Sequence, residues 1–159
     1  MQGFRRKLAL AAGVFAALFS APLHAQTAVR LEALLEKPAV TWADVTGFVL
    51  EASEASERAV YNSPAGAFTF AVERNWLPKG AALTDTVRYN GLALLLMESF
   101  GLKGGIFYGI AKSPHHAYRE LVYKRVIRGD ADPLMVVSGQ EFLLMISRIL
   151  SIQEKGAGS

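Results

Sequence analysis

Two histidines stand side by side at His115 and His116, and in a chain without cysteine they are the first place to look for chemistry. Adjacent residues on a helix point roughly 100° apart, so this pair does not readily chelate one metal ion. A nucleophile–histidine pair would have to use the same site, because His24 falls in a leader segment, and nothing positions a serine for it. Asp130 and Asp132 open like a calcium loop, but the glycine and closing glutamate are missing at the required spacing, so they read as a turn. Glu51, Glu54 and Glu57 read as a solvated face. Gly104-Gly105 is not followed by the Lys-Ser/Thr of a phosphate-cradling loop. No Asp/Glu pair stands out for glycoside hydrolysis. The expectation is a non-catalytic chain with no cofactor and no metal.

Aromatic and basic residues offer binding instead. Trp42, Trp76, Tyr89 and Tyr118, with Tyr123, are candidates for carbohydrate stacking in grooves between structural units; the competing reading is core packing. Arg88, Arg119, Lys124, Arg125 and Arg128 would supply polar contacts to such a groove, or would simply be solvated. The candidate groove thus comprises Trp42, Trp76, Arg88, Tyr89, His115, His116, Tyr118, Arg119 and Arg128.

The elements that must position these residues begin with a leader. Arg5, Arg6 and Lys7 precede an apolar run, Leu8 to Phe19, too short to span a bilayer comfortably, and Leu23-His24-Ala25 offers a cleavage site. Residues 1–25 are therefore expected to be a signal peptide, an uncleaved anchor being the alternative. The chain carries 17 Lys+Arg against 14 Asp+Glu, and the leader holds three of the bases and no acid. Without it the charge balances, which removes the main support for a nucleic-acid or acidic-lipid partner. The absence of cysteine closes disulfides, thiolate metal sites and a lipoprotein anchor. No second long apolar segment follows, so no transmembrane segment is expected after cleavage.

Beyond the leader the periodicity is helical. Gln26–Glu36 ends before Pro38. Thr41, with Asp44 three residues on, caps a helix running to about Ser56. Ser63 and Pro64 open a helix that stops near Asn75, with Phe68, Ala71 and Val72 inward. Thr84 or Asp85 caps the next one, apolar nearly all round and ending at Gly101. Lys103 to Lys112 is a glycine-punctuated link, with a short extended piece expected at Ile106–Tyr108. Ser113 and Pro114 open another helix, with Tyr118, Leu121 and Val122 inward and Gly129 at its end. Ser138 and Glu141 cap the last, whose core stripe includes Phe142, Met145, Ile149 and Leu150. Residues 154–159 are expected to be a disordered tail.

Two of these stretches match without a gap at a shift of fifty. Ser63/Ser113, Pro64/Pro114, Ala67/Ala117, Val72/Val122, Ala81/Ala131, Val87/Val137 and Leu94/Leu144 are identical. A partial third copy aligns Val40-Thr41-Trp42-Ala43-Asp44-Val45 with the segments starting at Val87 and Val137. The fold class expected is mainly α: three helix–turn–helix pseudo-repeats, about 27–57, 63–102 and 113–152, packed as one pseudo-threefold domain over 26–153.

The third unit resembles an S-layer homology repeat. His115-His116-Ala117-Tyr118 with Leu121, then Val126-Ile127-Arg128-Gly129 with Asp130 and Asp132, then Val137 through Phe142, follow that family's order of strings. The second unit is a degraded match through Phe68, Trp76-Leu77 and Val87-Arg88, and the resemblance spans 38–150. It implies three helical repeats in a pseudo-threefold bundle and noncovalent attachment to cell-wall polysaccharide. The family's ligand-contacting arginine falls on Trp42, Tyr89 and Gly139 in this chain. The resulting expectation is an exported protein of the periplasm or cell surface, binding peptidoglycan or an associated wall polymer. The rival is an adaptor for another envelope protein, which would expose an apolar patch; a small periplasmic hydrolase has scant material.

Overall fold

The computed structural model describes residues 21–157. The basic and apolar parts of the expected signal, Arg5–Lys7 and Leu8–Phe19, lie outside the described residues. The chain divides into two compact units, 1–36 and 37–159. The described part of the first is helix α1, Ala21–Leu35, which begins earlier than its apolar spacing predicts and runs through the expected cleavage point at Ala25.

The second unit holds α2 (Trp42–Ala52), α3 (Arg58–Tyr61), α4 (Pro64–Glu73), α5 (Tyr89–Ser99), α6 (Ile106–Ile110), α7 (Pro114–Tyr123) and α8 (Gly139–Ala157). The described residues are predominantly α-helical and contain no β-strand, only two isolated bridges, Thr41 with Thr86 and Arg88 with Val136. No described helix is long and apolar enough to cross a membrane. Helix α2 packs on α4, and α5 on α7. The all-round apolar α5 is the most enclosed, with every residue from Gly91 to Met97 buried.

The centre is a ring of backbone hydrogen bonds among three valines. Val40 N–H donates to the Val137 carbonyl (2.9 Å), Val137 N–H to Val87 (3.0 Å), and Val87 N–H to Val40 (2.8 Å). All three residues are fully buried. Buried backbone groups must find partners, and the cycle supplies a donor and an acceptor to each valine without any strand.

Backbone contacts beside this ring, rather than a local cap, set the start of one helix. Helix α5 begins at Tyr89, not after Thr84 or Asp85, and its N-cap Arg88 makes no side-chain cap. Its first amide groups are instead satisfied in tertiary contact: Tyr89 N–H donates to Met135 (3.1 Å) and Asn90 N–H to Pro133 (3.0 Å). Helix α2 repeats the arrangement, with Trp42 N–H on Asp85 (3.2 Å) and Ala43 N–H on Leu83 (2.9 Å). There Asp44 adds the local cap, its carboxylate accepting from Thr41 N–H (2.8 Å) and Thr41 Oγ1 (2.9 Å). Burial alone would raise the Asp44 pKa, but the hydrogen bonds from Lys37 and Thr41 outweigh it and hold it below the usual value.

Helices α4 and α7 open as their Ser-Pro signatures predict. Ser63 Oγ accepts from Gly66 N–H (3.2 Å), and Ser113 Oγ from His116 N–H (3.3 Å). Four helices close on a left-handed residue: Glu54 (φ 53°), Asn75 (58°), Gly101 (58°) and Arg125 (57°). Each is followed by an amide bonded five residues back, such as Trp76 N–H to Ala71 (3.0 Å) and Val126 N–H to Leu121 (2.9 Å). Thus α2 stops at Ala52 rather than Ser56, and α7 ends at Tyr123, with Arg125 taking the role predicted for Gly129.

Other expectations change with packing. Val72 and Val122 are exposed rather than inward, because the neighbouring helix covers only Ala67/Ala71 and Ala117/Leu121 on α4 and α7, and Leu150 of α8 is exposed while Ile149 beside it is buried. Residues Ile106–Tyr108 are helical, not extended. The tail beyond Gln153 continues α8 to Ala157, and Gln153 Nε2 donates to the Phe100 carbonyl (3.1 Å).

Candidate functional site

Helix α7 and the glycine link before it enclose a cavity of about 490 Å3. His116, Arg119, Glu120 and Tyr123 fall at spacings of three, one and three, so they share one helix face. Opposite them lie Lys103, Gly104, Gly105 and Phe107, with Lys124 at the end. Glu120 fastens the two walls together: its carboxylate accepts from Gly105 N–H at 2.8 Å. Gly104 is needed for space, since a Cβ there would sit 2.6–2.9 Å from the Tyr108 side chain.

Tyr108 anchors the link. It is the buried residue of α6, and its hydroxyl donates to Glu98 Oε1 at 2.6 Å. Lys112 Nζ meets the other Glu98 oxygen at 2.9 Å. Burial, then the Glu98 bond, push the Tyr108 pKa far up, so the hydroxyl stays a donor. The cavity therefore has a fixed floor, three cationic side chains and one carboxylate already engaged by an amide.

A second polar cluster gathers where α5 and α8 begin. The Tyr89 hydroxyl has its pKa raised strongly by burial, then by its hydrogen bond to Glu141, with Tyr118 adding to this and Arg148 opposing it. Tyr118 donates to the Ala131 carbonyl, and its pKa too is raised, by burial and then Asp132. Arg148 Nη1 donates to the Val126 carbonyl at 2.7 Å. The Tyr118 and Arg148 bonds clamp the turn at 126–133 to α7 and α8, and the Tyr89–Glu141 bond joins α5 to α8.

The predicted site residues do not converge. Trp42 and Tyr89 are 3% and 4% exposed, so they are core rather than stacking surfaces. The first helical turn points them inward, and the Trp42 ring fills the space left by Gly91, whose Cβ would come within 3.3 Å of it. Gly139, the third position in that register, is buried as well. Trp76 is half-buried and meets Phe70 edge-to-face at 5.9 Å, while the Arg74 guanidinium lies 3.4 Å from the Phe70 ring centre. Arg88 is exposed and donates to the Leu134 carbonyl. Arg128 Nε donates to Arg125 (3.2 Å).

His115 is exposed, and its ring packs edge-to-face on His116 with centres 5.7 Å apart. His116 Nδ1 lies 3.0 Å from the Ala111 carbonyl and 3.1 Å from Ser113 Oγ, which occupies it locally. Among the described residues no three His, Asp or Glu side chains gather as a metal site would require. Of the predicted groove, His116 and Arg119 line the cavity. Lys103 and Phe107 were missed because the glycine link reads as a spacer. Tyr123 and Lys124 were legible, lying four and five residues beyond Arg119 on the same helical run.

No protein-family model matches the chain, and neither a curated protein nor a solved structure matches it.

Proposed function

We propose that the chain is a non-catalytic module of the cell envelope, exported and attached to peptidoglycan or an associated wall polymer. In this reading it is a divergent relative of S-layer homology domains. Three units close pseudo-threefold on one core, and the valine ring is the observation that carries the reading. The three residues aligned by sequence, Val40, Val87 and Val137, are the three that bond to one another in a cycle. The helix starts Trp42, Tyr89 and Gly139 follow at the same offset. In a repeat architecture of this kind the units bury each other's apolar faces.

Co-sedimentation with purified cell-wall sacculi, before and after stripping of secondary polymers, tests it. Binding lost on stripping assigns the polymer as ligand; binding that persists assigns peptidoglycan. A chain that stays in the supernatant in both cases ends the attachment reading. The second reading is an adaptor for another envelope protein. It is favoured by the run Leu134-Met135-Val136, exposed to 57%, 54% and 42% beside the exposed Arg88.

A further inference from the structure

The four most exposed large hydrophobic side chains among the described residues occur at one corner. Ile106, Phe107 and Ile110 of α6 are 80%, 74% and 80% exposed, and Tyr123 of α7 is 84% exposed. Phe107 and Tyr123 line the same cavity. Single exposed apolar residues are ordinary, but a cluster marks an interaction surface. Lys103, Arg119 and Lys124 line that cavity too, and among the described residues none of them forms an ion pair. The carboxylate there, Glu120, is engaged by Gly105 N–H.

The combination discriminates between partners. Protein interfaces are depleted of lysine at their centre. A bilayer surface takes both features at once: apolar and aromatic side chains enter the headgroup–acyl boundary, and cations meet anionic headgroups. The overall charge balance expected beyond the leader does not oppose this, because the attraction is local, acting within about 8–10 Å at physiological salt. No described helix spans a membrane, so the attachment would lie in the interface plane.

We propose that this corner is a peripheral membrane-docking surface. Ile106, Phe107 and Ile110 enter an anionic bilayer while Lys103, Arg119 and Lys124 hold lipid phosphates at the mouth of the cavity. The inference is independent of wall binding, and sacculi do not test it.

The chain has no cysteine, so Phe107→Cys in the full-length protein accepts a single environment-sensitive fluorophore. Thr69→Cys, on the exposed face of α4, is the control position. The label at 107 is expected to shift to the blue with phosphatidylglycerol vesicles and not with phosphatidylcholine vesicles; the label at 69 is expected to stay in water with both. This local readout is separate from any lipid affinity of the leader. Combining Lys103→Ala, Arg119→Ala and Lys124→Ala is expected to weaken the vesicle concentration dependence of the shift at least tenfold, each cation near the surface being worth about fivefold. Circular dichroism and Tm verify that the variants fold. A label at 107 that stays in water, that shifts equally with both lipids, or whose shift ignores the charge variant overturns the proposal. A protein partner would then be the better occupant.

Discussion

Helices α4 and α7 are the same backbone written with different side chains. Both run ten residues, open on Ser-Pro, and close on a left-handed residue fifty positions apart, Asn75 and Arg125. Their surfaces differ in kind. At the end of α4, Phe70, Arg74 and Trp76 stack on one another. At the matching places α7 carries Glu120, Lys124 and the buried Val126; the first reaches out to Gly105 and the second faces a cavity. The links before them differ too. The link before α7, which carries α6, is pinned by Tyr108 and turns three large apolar side chains outward. The connection decides which of the two helices lies beside exposed apolar and cationic side chains.

The largest test of that difference lies underneath. Leu121 and its counterpart Ala71 are both fully buried, so the core beneath α7 holds the larger side chain. Leu121→Ala should cost about 2–5 kcal/mol, and Ala71→Leu about 1–3 kcal/mol from overpacking. Denaturant midpoints measure both, and a cost-free Ala71→Leu would show that the two cores are interchangeable.

Gly47 on α2 has Leu94 as its counterpart on α5, and packing explains the exchange. A Cβ at Gly47 would stand 2.7 Å from the Tyr61 carbonyl oxygen. Gly47→Ala should therefore lower stability by about 1–3 kcal/mol, read from thermal unfolding. An unchanged Tm would mean that α2 and Tyr61 of α3 separate without cost.

The Tyr108 anchor gives the α6 link a pH dependence. Its hydroxyl has a folded pKa raised above the ordinary 10.0. The stabilisation is therefore complete below that ordinary value and declines as pH rises above about 10. Tyr108→Phe should cost about 1.5–3 kcal/mol at neutral pH, the worth of a hydrogen bond to a charged group. It should also flatten the alkaline fall in stability by one tyrosine's share. A stability–pH curve for both proteins tests this, and identical alkaline slopes would remove the anchor role.

The smallest effect concerns the helix ends. Arg125 is left-handed with a side chain that disfavours it, whereas asparagine at 75 tolerates the same conformation. Arg125→Gly should stabilise by about 0.5–1 kcal/mol, the relief of left-handed strain being partly offset by glycine's entropy. Asn75→Gly should do less. Equal gains at both positions would mean that the side chain at the cap does not matter.

Sequence pattern located much of the helical scaffold. Ser63-Pro64 and Ser113-Pro114 fixed two starts, because a hydroxyl cap and a proline at the first turn act locally. The fifty-residue offset paired Val87 with Val137, and the cap pattern added Val40. By contrast, α5 starts at Tyr89 through carbonyls of Pro133 and Met135, more than forty residues away, which no local cap rule contains.

The candidate groove was the least legible part. Trp42 and Tyr89 have the chemistry of stacking residues, yet a first-turn position can face solvent or core, and only the packing of α2, α5 and α8 turned these inward. The cavity between α7 and the glycine link depends on Glu120 reaching Gly105 and Tyr108 reaching Glu98, two contacts across a link that sequence treats as a spacer. By itself the sequence determined the helical periods and most of the helix-opening caps, because these depend on neighbours within a few residues. Tertiary structure alone decided which aromatics are core, which helix end borrows its cap, and where apolar and cationic side chains meet, because those outcomes depend on groups that the chain brings together only when it closes.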